Sequence, residues 1–177
     1  MNRLRTLCVP PLALVLTAAL VACGGGGSAP YNPTTSTTCT LPLQYAGGGS
    51  SNSGTAITAQ TVSSERSFNA CNIALLQSAK LTVCIDHPAL SEVSGQLRLS
   101  GNSIWAFNAS AGTAVGSSCL AQSGGATTVR EFVVAPANLP NSASIGNAWS
   151  VALSDATPTN NQSGYFVAWA LELQGLR

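Results

Sequence analysis

The chain ends in two runs, Gly146–Asp155 (GNAWSVALSD) and Gly164–Gly175 (GYFVAWALELQG), in which apolar side chains recur at every second position. Such alternation is typical of half-buried β-strands. The connector between the runs is rich in turn-forming residues and cannot continue either strand. The pattern therefore predicts two strands, with Trp149, Trp169 and Leu171 as core anchors. The residues expected to face inward are Trp149, Val151 and Leu153 in the first run and Tyr165, Val167, Trp169, Leu171 and Leu173 in the second.

Shorter alternating runs occur upstream. Lys80–His87 predicts a strand with Leu81, Val83 and Ile85 inward, and Val129–Val134 predicts another. Two further runs flank Gly101–Asn102, which is a good hairpin signal. Thr40–Tyr45 predicts a short edge strand, because Pro42 cannot donate to a sheet ladder.

The segment Ser64–Ala79 is ambiguous. Phe68, Cys71 and Leu75 fit one face of a helix, and Ser64 is a suitable N-cap. Part of the same segment also fits a strand. We expect a short helix or an irregular crossover here.

The final runs also carry a family resemblance. Their spacing, Trp149-x-Val-x-Leu-x-Asp155 and then Gly164 through Trp169-x-Leu-x-Leu-x-Gly175, resembles the C-terminal end of the P domain. That β-sandwich module follows the catalytic domain of kexin-like and some bacterial subtilisin-like proteases. Ile85-Asp86-His87 matches a further strand end of the family, but the Asp-Leu pair expected after the histidine is missing, and Glu92 is the nearest acid. We expect an all-β fold, a jelly-roll-like β-sandwich of roughly eight antiparallel strands, over residues 38–177.

The N-terminus reads as a lipoprotein signal peptide. A short basic region precedes an apolar stretch that is too short and too broken to span a membrane. It ends in Leu20-Val21-Ala22-Cys23, which resembles the bacterial lipobox. This predicts a signal peptide over 1–22, lipidation of Cys23, and a Gly/Ser/Thr-rich tether over 23–37. The alternative is an ordinary cleaved signal peptide. Gly24 after the cysteine favours the outer membrane, so we expect a lipid-anchored protein of the bacterial cell envelope.

Four cysteines remain once Cys8 leaves with the signal peptide and Cys23 takes the lipid. In an oxidising compartment an even number predicts two disulfides, here with three possible connectivities, of which Cys71 with Cys84 is the most local. No Cys-x-x-Cys spacing is present, and the chain has one histidine, so a zinc site is not expected. The disulfide candidates are Cys39, Cys71, Cys84 and Cys119.

The chemistry-bearing residues do not predict an enzyme. The chain has seven Lys and Arg against six Asp and Glu, so no basic face for nucleic acid is expected. No nucleophile elbow accompanies His87, which we interpret as a strand-end residue held by local hydrogen bonds. The few acids show no paired-carboxylate spacing. A serine-endopeptidase label would follow from the P domain's usual association alone.

The P-domain resemblance also implies calcium bound by acidic loop residues. Asp155 matches a family aspartate, but Gln162 stands where many relatives have another, so we expect no cofactor and keep Asp155 as the calcium candidate. The predicted function is a non-catalytic, lipid-anchored binding module of P-domain type whose partners are the membrane and an envelope protein or protease. The alternatives are an accessory subunit of a subtilisin-like serine protease, or a carbohydrate-binding sandwich that uses Trp105.

Overall fold

The computed structural model describes residues 32–47, 54–116, 128–140, 145–158, 162 and 164–177. They lie within one compact unit, Asn32–Arg177. No helix in these ranges is long and apolar enough to cross a membrane. The strands are β1 (Ser36–Tyr45), β2 (Thr55–Ile57), β3 (Val62–Ser67), β4 (Leu75–Asp86), β5 (Val93–Leu99), β6 (Asn102–Asn108), β7 (Thr113–Ala114), β8 (Thr128–Val134), β9 (Ala148–Asp155) and β10 (Gly164–Leu176). Single 3₁₀ turns occur at Leu90–Glu92, Ala109–Ala111 and Pro136–Asn138.

The strands form two antiparallel sheets. The six-stranded sheet has the order β1-β10-β4-β8-β7, and β2 also pairs with β10. The four-stranded sheet has the order β3-β9-β5-β6. If the short strands β2 and β7 are set aside, the chain changes sheet at every step except the β5–β6 hairpin. Two four-stranded sheets connected in this way are a jelly roll, so the predicted all-β, jelly-roll-like sandwich is confirmed.

The core lies between the sheets and is centred on β9 and β10. Trp149, Trp169 and Leu171 are fully buried in one cluster, as the alternation predicted. Each indole N–H has an acceptor inside the protein: Trp149 Nε1 donates to the carbonyl of Ile145 and Trp169 Nε1 donates to Ser64 Oγ, both at 2.9 Å. Burial of a large apolar side chain stabilises by about 1.5–3 kcal/mol, and these bonds remove the polar penalty that would offset it.

The start of β10 differs from the prediction. A β-bulge against β4 falls between Phe166 and Ala168, which inserts one extra residue into the strand. Because a shift of one residue exchanges the two faces of a strand, Phe166 enters the core while Tyr165 is 45 % exposed. Val167 joins a separate buried cluster with Ala168. The prediction that Tyr165 and Val167 share the core side with Trp169 is therefore wrong.

The segment Ser64–Ala79 forms no helix. Its first part belongs to β3, which pairs with β9, and its last part begins β4 at Leu75. Residues 68–74 connect the two strands without regular structure, so the crossover alternative is the one observed. The Ser64 hydroxyl accepts a hydrogen bond from the Trp169 indole N–H and does not cap a helix. Strand β3 forms in place of a helix because β9 satisfies its backbone hydrogen bonds and the core satisfies the side chain of Ser64.

The β5–β6 hairpin turns at Ser100–Gly101, one residue earlier than predicted. Both residues have positive φ, 50° and 80°. Positive φ at both central residues defines the type I′ turn, whose twist suits a two-residue hairpin. Glycine meets this requirement at Gly101 without a steric penalty.

Candidate functional site

The beginning of β1 and the end of β10 lie side by side. Ser36 pairs with Leu176, and the backbone N–H groups of Thr34 and Thr35 both donate to the carbonyl of Arg177 at 3.2 Å. We call this the terminal end. The opposite end, the free end, is formed by the last residues of β4 and β9 and the first residues of β5 and β10.

The free end contains a buried histidine–aspartate pair. His87 Nε2 lies 3.5 Å from Asp155 Oδ2, and the two side chains are 0 % and 2 % exposed. His87 Nδ1 accepts the N–H of Ala89 at 3.1 Å, and Asp155 Oδ1 accepts the N–H of Thr157 at 2.7 Å. Because Nδ1 is an acceptor, a neutral ring carries its proton on Nε2, which faces the carboxylate. No hydrogen bond is formed by Nε2 in the described ranges.

This pair closes the free end and does not reach its surface. Gly164 packs directly against it, since a Cβ there would collide with the His87 ring and the carbonyl of Asp86. The local hydrogen bond to Ala89 agrees with the strand-end interpretation of His87. The contact with Asp155 was not predicted, although both residues had been singled out separately. A strand pattern shows which residues end a strand but not which ends meet across the two sheets.

Asp155, the calcium candidate, directs both carboxylate oxygens at protein partners. One accepts from Thr157 and the other faces His87. Within the described ranges, no group of three or more His, Cys, Asp or Glu side chains is placed to hold a metal ion.

The disulfide candidates are resolved in part. Cys39 in β1 is bonded to Cys71 in the segment after β3. Cys84 is also disulfide-bonded and is buried with Val167 and Ala168 in the second cluster. The most local pairing, Cys71 with Cys84, is therefore not formed, because Cys71 is used by Cys39. Cys119 and the lipidation candidate Cys23 lie outside the described residues.

Arg66 is a cation with a structural role at the β1 side of the sandwich. Its Nη1 donates to the carbonyls of Pro42 at 2.7 Å and Trp169 at 3.1 Å. The guanidinium lies 5.2 Å from the centre of the Trp169 ring, within cation–π distance. Partial burial lowers the pKa of Arg66 from its ordinary value. The residue links β3, β1 and β10 and covers the edge of the core.

An aromatic groove opens on the other side of the sandwich. It has a volume of about 510 Å³ and lies between β6 of one sheet and β7 and β8 of the other. We call it the edge groove. Three rings form its floor: Trp105 and Phe107 from β6 and Phe132 from β8. The remaining lining residues are Ala106, Asn108, Ala111, Thr113, Glu131 and Val133.

The three rings of the edge groove pack on one another. Trp105 is half-buried and stacks on Phe107, with 5.0 Å between ring centres and 21° between planes. Phe132 meets Trp105 edge-on at 5.6 Å and Phe107 at 4.6 Å. A sugar-binding platform needs an aromatic face that is open to solvent. One face of Trp105 is covered by Phe107, which leaves at most the other face for such a platform.

No protein-family model matches the chain, and no curated protein is similar to it. The P-domain resemblance accordingly stays a prediction from the spacing of the two final runs.

Proposed function

We propose that the protein is a non-catalytic binding module of P-domain type, held on the bacterial cell envelope by a lipid on Cys23. The observation that supports the proposal is the place where the chain enters the sandwich, since β1 begins at the terminal end, beside the end of β10. The free end lies at the opposite ends of the same strands. The sequence of residues 1–22, with Cys23 after a lipobox-like segment, supports the anchor.

Burial of the histidine supports a binding role over a catalytic one. His87 is the only histidine in the chain, and its ring is fully buried with both nitrogens directed at the protein. A general base must come within hydrogen-bond distance of the proton that it abstracts. In this position His87 Nδ1 accepts from Ala89 and Nε2 faces Asp155, and the ring is enclosed by the protein.

Lipid anchoring is tested by expressing the full chain in a bacterial host with an alkyne-labelled fatty acid. Cys23→Ala should abolish labelling and release the protein from the membrane fraction. Cys8→Ala, which changes the other cysteine of the signal region, is the matched control and should keep both properties. Density-gradient separation should place the labelled protein with the outer membrane. Membrane retention of an unlabelled Cys23→Ala chain would contradict the proposal.

A further inference from the structure

We propose that a pocket between β1 and β3 binds a small sugar acid, whose carboxylate is held by the guanidinium of Arg66. The pocket has a volume of about 610 Å³, and we call it the arginine pocket. It is lined by residues 40–42 and 44 of β1 and by residues 66–70, which end β3 and begin the segment after it. The proposal rests on the proposed function in one respect, namely that the protein is a binding module, and it names the class of ligand.

The first argument is the direction of Arg66. This residue pairs with Trp149 of β9, which is fully buried, and directly opposite residues of an antiparallel pair project to the same face of the sheet. Arg66 therefore points between the sheets. Its Nη1 donates to the carbonyls of Pro42 and Trp169, both in the other sheet. The side chain thus spans the gap between β3 and β1 at an open edge of the sandwich.

The second argument is that the protein uses only one side of this guanidinium. The two bonds of Nη1 account for both of its hydrogens. Within the described ranges, Nε and Nη2 of Arg66 form no hydrogen bond, and neither atom is sealed from solvent. These two nitrogens form one edge of the guanidinium, and their parallel N–H groups match the two oxygens of a carboxylate.

The third argument is that no carboxylate of the sequence neutralises Arg66. The chain has six Asp and Glu residues, and all six lie in the described ranges. The ion pairs formed there engage Lys80 and His87, and none engages Arg66. Partial burial lowers the pKa of Arg66, as expected for a cation that has lost water without gaining a counter-charge. An anion from outside the protein would supply that charge.

The fourth argument is that the pocket is pre-organised. The Cys39–Cys71 disulfide joins its two walls, since one wall begins directly after Cys39 and the other ends directly before Cys71. The guanidinium of Arg66 is fixed by its two carbonyl partners and by the Trp169 ring, whose centre is 5.2 Å away. A rigid site loses less conformational entropy when a ligand binds, so a small ligand can be held by few contacts.

The other polar groups of the pocket select the kind of acid. Gln44 and Asn69 bring exposed amides, and Thr40 and Ser67 bring exposed hydroxyls. Amides and hydroxyls both donate and accept hydrogen bonds, and so do the hydroxyl groups of a sugar. Arg66 is the one charged residue that lines the pocket, so it balances a single negative charge. This favours a carboxylate over a phosphate dianion.

A polypeptide strand does not suit this pocket. The register of β1 against β10 shifts between Leu41 and Gln44, and Pro42 has no N–H to donate. The carbonyl of Pro42 already accepts from Arg66. Strand addition depends on main-chain hydrogen bonds along a sheet edge, and β1 is irregular where it lines the pocket. The geometry therefore favours a small molecule.

The test uses the full-length protein in a non-ionic polyoxyethylene detergent and measures binding by saturation-transfer NMR. The probes are D-glucuronate, its neutral amide D-glucuronamide, and glucose 6-phosphate. Glucuronate should bind, and the other two should bind at least about tenfold more weakly, the effect of losing charge-assisted hydrogen bonds. Arg66→Lys keeps the charge but not the paired N–H groups, and it should weaken glucuronate binding about tenfold. Arg98→Lys is the matched control and should change little, because Nε and Nη2 of Arg98 are already bonded to Gln96.

The Nε–H resonance of Arg66 reports on the contact directly, so it should move when glucuronate is added and stay in place with glucuronamide. Asn69→Ala provides a second variant if Arg66→Lys does not fold, and it should weaken binding about threefold. Its control is Gln77→Ala, which removes an exposed amide outside the pocket.

The proposal is overturned if glucuronate does not bind, or if glucuronamide or glucose 6-phosphate binds equally well. It is also overturned if the Arg66 resonance does not move, or if trialanine, whose carboxylate ends a peptide, binds more tightly than glucuronate. None of these results affects the fractionation of Cys23→Ala, so the two proposals fail separately.

Discussion

At the scale of single residues, Ser64 is the clearest example of a polar group that the core requires. Its hydroxyl accepts the Trp169 indole N–H inside the sandwich. Ser64→Ala would leave that N–H buried without an acceptor, which costs about 1–3 kcal/mol. We expect a loss of this size in the free energy of unfolding, measured by urea denaturation. Ser63→Ala, its exposed neighbour, should stay within about 0.5 kcal/mol of the wild type. Equal values for the two variants would contradict the assigned role.

The sequence suggests a local use for Ser64, as an N-cap, and the structure shows a tertiary one instead. Its partner lies 105 positions along the chain. Local pattern predicts the type of an element but carries no information on which distant indole a hydroxyl will meet. The same limit applies to His87 and Asp155, whose positions at strand ends were predictable while their contact was not.

The contact between His87 and Asp155 is testable by a double-mutant cycle. Both side chains are buried and 3.5 Å apart, so removing either leaves the other with a polar atom that has lost its neighbour. We expect a coupling free energy of about 0.5–3 kcal/mol between His87→Ala and Asp155→Ala in denaturant unfolding. The control cycle pairs His87→Ala with Asp86→Ala, whose side chain points to the other face of the extended chain. A coupling no larger than that of the control would argue against a direct interaction.

At the scale of elements, β10 combines a successful prediction with a failed one. From Trp169 onward the alternation places each side chain correctly, but the bulge at Val167 reverses the residues before it. The extra residue in the bulge is Val167, and a valine does not indicate a bulge as a glycine or a proline would. At this part of β10 the strand pairs with β4 on one side and with β2 on the other. Element type and core face were therefore predictable, and the local change of register was not.

Gly175 is a position where β10 lies close to the beginning of β4. A Cβ there would collide with the carbonyl of Leu75 and with the side chain of Ile73. Gly175→Ala should destabilise the protein by about 1–3 kcal/mol, since the backbone of β4 must shift. Gly146→Ala is the matched control, because a Cβ at Gly146 meets nothing within 4 Å. Thermal unfolding followed by circular dichroism compares the two. A Gly175→Ala protein with the wild-type Tm would show that the strands accommodate the methyl group.

At the scale of the whole molecule, the Cys39–Cys71 disulfide joins an edge strand of one sheet to the segment that leaves the other. It closes a loop with a sequence separation of 32. By the chain-entropy model, a loop of this size contributes roughly 3–4 kcal/mol. The double variant Cys39→Ala/Cys71→Ala should lose about this amount in urea unfolding. The pair Thr38→Ala/Asn72→Ala changes exposed neighbours and should lose little. An unchanged midpoint in the cysteine variant would contradict the estimate.

The same bond determines how the domain responds to mechanical force. A pull on the chain ahead of β1 acts on a strand that lies alongside β10 for most of its length, so the ladder is loaded in shear. Only the residues up to Thr38 can detach from β10 before the force reaches Cys39, which is held by a covalent bond to Cys71. A pulling force would therefore reach the disulfide before it disrupts the rest of β1. In a reducing medium the Cys39–Cys71 bond is lost, and unfolding under force would begin at β1.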